Sequence, residues 1–115
     1  MIVHLDRSGV DAYVTQPGVA LLNWRSPSDP LSRAFDVGYE NVSARHPDVA
    51  FADLDISGEP ALAASWAVAG APALMAYRDG MLVFDYAGAL PEQAVDALVD
   101  AIWSLDMDEI RQGKN

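Results

Sequence analysis

Short apolar runs, separated by turn residues, divide the chain into alternating strands and helices. Residues 19–22 are all apolar, a pattern typical of a central strand that is buried on both faces. The helix predicted after this strand starts in the Ser- and Pro-rich cluster at 26–30 and ends before Pro47, because proline disfavours a helical residue in front of it. Its expected buried face consists of residues that recur at helical spacing, namely Leu31, Ala34, Phe35, Gly38 and Val42.

The remaining elements complete the alternating order. Residues 2–5 predict an edge strand, 8–14 a short helix with Ser8 as its N-cap, 49–56 a strand and 59–66 a short helix. Two apolar runs, 73–77 and 81–84, are joined at Asp79-Gly80, which is a strong hairpin signal. A long amphipathic helix begins at Pro91. The order β-α-β-α-β-α-β-β-α predicts an α/β domain with a mixed sheet.

Composition and charge exclude several classes of function. The chain has 115 residues, which suits one domain with one core, and a formal net charge of -10. Because its 7 basic residues are scattered, we expect binding neither to nucleic acid nor to an anionic membrane. The absence of cysteine removes disulfides, thiolate nucleophiles and thiolate metal sites. The N-terminus has no signal-peptide pattern, so the expected location is cytoplasmic.

An ordered set of motifs in the second half of the chain resembles thioredoxin. W-A-V-A-G-A-P-A at 66–73 is similar to the family's Y-G-I-R-G-I-P-T, and Y-R-D-G at 77–80 is similar to F-K-N-G. G-A-L at 88–90 matches as it stands, and the opening strands match more loosely. The resemblance covers nearly the whole chain. It implies a thioredoxin fold with a mixed sheet of four to five strands flanked by helices. Residues 1–115 would form one domain, in which about 104–115 extend the last helix or form a tail.

The active-site stretch departs from the thioredoxin pattern. The family's W-C-G-P-C corresponds to P-S-D-P-L at 27–31, so Ser28 and Leu31 stand at the two cysteine positions. The resemblance also places Leu22 at the family's buried acid and Asp53 at its nearby lysine. Thiol–disulfide exchange requires a thiolate that attacks a sulfur. Since both sulfurs and their proton-handling neighbours are replaced, we expect no dithiol activity and assign no catalytic residue.

Other chemistry at these positions has little support. Ser28 would need a general base, and the fold implied by the resemblance places His4 and His46 far from it. We therefore expect Ser28 to be a helix N-cap. Residues 53–58 resemble the start of a calcium loop, but the twelfth position is Ala64 instead of a bidentate glutamate. The sequence thus predicts neither a metal site nor a cofactor.

A peptide groove is the one functional feature that the resemblance retains. In thioredoxins the proline corresponding to Pro72 is cis, and the backbone of the residue before it pairs with an extended substrate. We expect Ala71–Pro72 to be cis, either because the turn requires it or because the groove persists. The candidate binding residues lie in three loops that meet at one edge of such a fold: Ser28, Asp29, Pro30, Ala71, Pro72, Ala87 and Gly88.

The tryptophans and the C-terminal segment complete the predictions. Trp24, Trp66 and Trp103 are expected in the core. Trp103, Met107 and Ile110 could form a small apolar face for a partner or a dimer, or belong to a frayed tail. The leading hypothesis is a redox-inactive, chaperone-like module that binds a protein or an extended peptide. The alternatives are a structural or oligomerisation subunit, a protein that similarity would assign to thioredoxins and cell redox homeostasis although it lacks dithiol activity, and an enzyme with non-thiol chemistry. The oligomeric state stays open.

Overall fold

A computed structural model describes residues 1–113 of the chain. Within this range the predicted alternating order is present, and most element boundaries lie within a residue or two of those expected. No helix among the described residues is long and apolar enough to cross a membrane. The strands are β1 (Ile2–Leu5), β2 (Val19–Arg25), β3 (Ala50–Asp55), β4 (Ala73–Arg78) and β5 (Met81–Ala87). The helices are α1 (Val10–Val14), α2 (Pro30–Arg45), α3 (Pro60–Ser65), α4 (Glu92–Trp103) and α5 (Met107–Arg111).

The five strands form one mixed sheet in the order β1-β3-β2-β4-β5. Strands β1, β3 and β2 run parallel, β4 pairs antiparallel with β2, and β5 pairs antiparallel with β4. The expected central strand is β2, whose residues are buried from Val19 to Trp24. Because side chains alternate across a strand, β2 supplies both halves of the core. Leu22 and Trp24 pack with α1 and α3, whereas Leu21 packs with α2 and α4.

Two buried tyrosines attach helices to the middle of the sheet. The Tyr13 hydroxyl of α1 donates to the Leu21 carbonyl at 2.7 Å, and the Tyr39 hydroxyl of α2 donates to the Ala52 carbonyl at 2.8 Å. Tyr39 also contacts Phe51, with ring centroids 5.2 Å apart. Each polar group therefore reaches an acceptor inside the core, as a buried hydroxyl requires.

The buried face of α2 differs from the predicted one. Phe35 and Val42 are buried as expected, but Leu31 is 60% exposed and Ala34 is also exposed. The inner positions go instead to Ser32, whose hydroxyl accepts from the Ser26 amide at 3.1 Å, and to Tyr39. Both polar side chains can be buried because each has a hydrogen-bond partner, and this rotates the helix away from its purely apolar stripe.

One further prediction about helices is wrong. Ser8 does not cap α1, which begins after Gly9, because the Ser8 amide and hydroxyl both donate to Asp6. For the C-terminal segment, where an extension of the last helix and a tail were both open, the structure has a separate short helix. Asp106 accepts from the first amides of α5, so a new helix begins and turns Met107 into the protein, where it is 7% exposed.

Trp103 lies at the end of α4 and is 38% exposed, so its predicted place in the core is wrong. The Arg78 guanidinium lies 4.9 Å from the centroid of the Trp103 ring and donates to the Ile102 carbonyl at 2.8 Å. A cation over the ring thus replaces core packing at this position. Trp24 is fully buried as expected, and the partly buried Trp66 packs against the same core.

Candidate functional site

The sheet topology brings two of the predicted loops to one end of the molecule. Trp24 near the end of β2 is paired with Ala73 at the start of β4. The loop that follows β2 and the loop that precedes β4 therefore emerge at the same end of neighbouring strands. Residues 26–29 belong to the first loop, and Ala71 and Pro72 belong to the second.

Hydrogen bonds within the protein hold the first loop. The Asp29 amide donates to the Ser26 carbonyl at 3.1 Å, and the Asp29 carboxylate accepts from the Leu31 amide at 3.0 Å. Asp29, not Ser28, is therefore the N-cap of α2. Pro30 explains the error, since it occupies the first helical position and makes the residue before it the cap. Ser28 is exposed, and its hydroxyl lies 3.2 Å from that of Ser26.

Neither histidine is hydrogen-bonded to Ser28, whose hydroxyl lies beside that of Ser26. His4 Nδ1 lies 2.7 Å from an Asp53 carboxylate oxygen, and His46 Nε2 lies 2.7 Å from Asp96. These pairs join β1 to β3 and the end of α2 to α4, and His46 is partly buried. A nucleophilic serine needs a base within hydrogen-bond reach. The loop therefore presents an unactivated hydroxyl beside an exposed Leu31.

The second loop differs from the first in having a cis peptide bond and backbone groups without hydrogen-bond partners among residues 1–113. The Ala71–Pro72 peptide bond is cis, and the buried Pro72 accepts a 2.8 Å hydrogen bond from the Gly88 amide at its carbonyl. Ala73 and Ala87 are register partners, so this pairing brings together four of the predicted site residues. Within residues 1–113, the amide and the carbonyl of Ala71 have no hydrogen-bond partner. A half-buried residue with two free backbone groups thus lies at the end of the sheet.

A small cavity adjoins this loop. It has a volume of about 190 Å³ and lies between residues 67–70, the start of β4 and the end of β5. Met75 and Val68 are nearly buried in its wall, and Asp85 faces it from β5 as the register partner of Met75. Burial raises the pKa of Tyr77 to about 12, and the negative charge of Asp85 adds to this rise.

Neither this cavity nor Asp85 was predicted from the sequence. The Asp79-Gly80 hairpin signal could have located Asp85, because it determines how β4 pairs with β5. Register counted from that turn would have placed Asp85 opposite β4, although a bulge between Ala76 and Tyr77 shifts the count by one residue. Both turn residues have positive φ, as a two-residue hairpin of this type requires.

Comparison with known proteins identifies the family. A family model described as Thioredoxin matches residues 3–101. The chain belongs to the thioredoxin family. A protein of Streptomyces coelicolor named "Putative thioredoxin 2" is 32% identical over 111 residues, covering 96% of this chain and 82% of the relative.

Solved thioredoxins share the fold at lower identity. A mutant thioredoxin from Halobacterium salinarum superposes with a TM-score of 0.80 at 23% identity, covering 90% of this chain and 92% of that one. The oxidised thioredoxin from Plasmodium falciparum gives a TM-score of 0.76 at 16% identity, with 88% and 97% coverage. This chain is a thioredoxin-like protein without cysteine, with the five-stranded mixed sheet expected from its sequence.

The resemblance matches Leu22 and Asp53 to the family's buried acid and nearby lysine, and the structure shows what surrounds each of them. Leu22 of β2 is fully buried in the core cluster, and its own side chain has no group that can donate or accept a proton. Asp53 lies on the other face of the sheet, near Arg25, and pairs with His4. Asp55, in the segment that resembled a calcium loop, accepts from the Ser57 hydroxyl and, at 2.9 Å, from the Ser57 amide. These bonds, the hydroxyl bond most of all, lower the pKa of Asp55. The segment thus forms a short capped turn.

Proposed function

We propose that this protein is a redox-inactive thioredoxin-like module that binds an extended segment of a partner protein at Ala71. The observation that carries the proposal is the pair of free backbone groups of Ala71, an amide donor and a carbonyl acceptor, at the end of the sheet. Backbone groups that lack partners are a template for an added strand, whose main chain supplies the complementary donor and acceptor.

The surroundings of Ala71 favour such a strand. Ala87 and Ala89 are exposed and small, and Gly88 between them has no side chain, so a partner backbone can approach closely. Ser28 is exposed on the loop that follows β2, and Pro30 is exposed at the first position of α2. None of these residues supplies a nucleophile or a base, so binding without chemistry is the activity that their arrangement supports.

The charge of the protein indicates the kind of partner. With a net charge of -10, the chain attracts basic segments and repels acidic ones. Long-range attraction of this type accelerates association at low salt and is screened over about 10 Å at 0.1 M salt. A chaperone-like role, in which the module holds an extended basic client, is consistent with both the backbone groups and the charge.

A substitution that covers Ala71 tests the proposal. Gly88 is unsuitable, because its φ of +125° strains any other residue. Ala87→Trp places a large side chain at the neighbouring strand end, and Ala97→Trp, at an exposed position of α4, is the matched control. Peptides are first selected from a random nonamer display library on the unmodified protein, and their dissociation constants are then measured with both variants.

We expect Ala87→Trp to weaken peptide binding at least about tenfold, equivalent to 1.4 kcal/mol. Ala97→Trp should leave the dissociation constants unchanged. Circular dichroism must show that both variants are folded. If folded Ala87→Trp binds the same peptides with unchanged affinity, or if the unmodified protein selects no peptide, the proposed function is wrong.

A further inference from the structure

The cavity beside Ala71 gives the proposed strand a side-chain preference. Its volume of about 190 Å³ exceeds the roughly 150 Å³ that accommodates a benzene-sized group. Its wall is formed by Val68, Met75 and several alanines, and it is open to solvent beside the exposed end of β5. An aliphatic side chain that enters this space removes apolar surface from water on both molecules.

A single carboxylate marks one side of the cavity. Asp85 is exposed, and within residues 1–113 it forms neither a hydrogen bond nor an ion pair. Most of the arginines near sheet or helix ends are already engaged, as Arg78 is with Asp79 and Arg45 with Asp96. The charge of Asp85 is therefore available to a cation from outside the protein.

We propose that the segment bound at Ala71 carries an aliphatic side chain that fills this cavity and a lysine or arginine, two residues away, that pairs with Asp85. The inference rests on the proposed function and specifies its partner. Side chains two residues apart lie on the same face of an extended strand, about 6.6 Å apart. Asp85 and Ala87 both line the cavity and lie two residues apart on β5, which is the spacing that the two side chains of the bound segment would have.

Measurements on two proteins and two peptides isolate the charge pair. From the peptides selected above, one with a lysine two residues from an aliphatic position is paired with a version that has norleucine in place of the lysine. Each peptide is titrated against the unmodified protein and against Asp85→Asn. Asp100→Asn, which removes one exposed carboxylate from α4, controls for the change in net charge.

Exposed ion pairs contribute about 0.2–1 kcal/mol. We therefore expect Asp85→Asn to weaken the lysine peptide by up to about fivefold, more than Asp100→Asn does, and to leave the norleucine peptide unchanged. High salt should remove the difference. Ala69→Leu, which fills part of the cavity, should abolish the preference for an aliphatic residue while retaining the response to Asp85.

The outcomes separate the inference from the proposed function. If peptides bind but show no aliphatic and basic residues two positions apart, or if Asp85→Asn affects both peptides equally, the inference is wrong and the proposed function stands. If no peptide binds the unmodified protein, both are wrong.

Discussion

The tyrosine hydroxyls inside the core allow a quantitative test of how the helices are attached to the sheet. Tyr39→Phe removes only the oxygen that donates to the Ala52 carbonyl at 2.8 Å, and Tyr13→Phe removes the one that donates to Leu21 at 2.7 Å. Neither change alters the size of the ring, so the contact of Tyr39 with Phe51 persists. The perturbation is therefore confined to one hydrogen bond in each variant.

The expected loss follows from the acceptor. A strand carbonyl has two lone pairs and the sheet uses one, so removal of the hydroxyl costs about the net value of one hydrogen bond, roughly 1 kcal/mol, and not the larger cost of an unsatisfied group. For a domain of about 100 residues, this loss lowers Tm by about 4 °C. Tyr86→Phe is the control, because Tyr86 is exposed at the end of β5.

Urea denaturation followed by circular dichroism and tryptophan fluorescence provides the measurement. The midpoint should fall for Tyr39→Phe and Tyr13→Phe with an unchanged m-value, and it should stay constant for Tyr86→Phe. If the two buried variants are as stable as the control, the hydroxyls do not stabilise the fold and this account of the attachment is refuted.

Three further outcomes are expected. The protein should show only background insulin reduction with thioredoxin reductase, whereas Ser28→Cys with Leu31→Cys should form a disulfide that is titratable with dithiothreitol. Acid should destabilise the fold, since hydrogen bonds from Arg45 lower the pKa of Asp96 below its ordinary 3.8. The contribution of ionised Asp96 to the free energy of unfolding is present above pH 3.8 and is lost as the pH falls through the lowered pKa. Asp96→Asn should therefore reduce the loss of stability that urea titrations show in this acid range. Alkali should destabilise it as well, because burial raises the pKa of Tyr77 to about 12, so stability falls as pH rises above about 10 and Tyr77→Phe should reduce the loss.

Local signals predicted much of the fold. The apolar run of β2 indicated burial on both faces, and the Asp79-Gly80 dipeptide indicated the hairpin, because each depends on residues adjacent in sequence. Pro60 likewise marks the start of α3 in the structure. Periodicity and turn residues were therefore sufficient to predict those strands and helices that one short segment of sequence determines.

Tertiary contacts decided the elements that were predicted wrongly. The apolar pattern places Leu31 on the buried face of α2. Ser32 is buried there instead, because its hydroxyl accepts a hydrogen bond from the Ser26 amide. Trp103 continues the apolar stripe of α4, yet Arg78 from the sheet lies over its ring. In both cases a polar group outside the helix, the Ser26 amide or the Arg78 guanidinium, determines which helical side chain is buried. The spacing of hydrophobic residues along the helix contains no information about that group.

The candidate site shows the same division. The resemblance located Ala71, Ala87 and Gly88, and strand pairing brings them together. Unpaired backbone groups at Ala71 were implied by the resemblance, but the cavity beside Ala71 depends on three-dimensional packing and could not be predicted from the sequence. Asp85 was overlooked because a charged residue near a strand end is ordinary, and only its register with Met75 places it at the cavity.

The replacements at the former redox positions favour the fold as well as removing the chemistry. An ionised carboxylate at the site of Leu22 would lie fully buried among apolar side chains, where desolvation penalises charge. Leucine avoids that cost and adds apolar burial. Asp53, unlike Leu22, has a polar partner, since an oxygen of its carboxylate lies 2.7 Å from His4 Nδ1. A thioredoxin-like chain without cysteine can therefore keep its core, since the core does not depend on the sulfurs. The proposed strand binding at Ala71 does not depend on them either, because it uses the backbone groups of that residue.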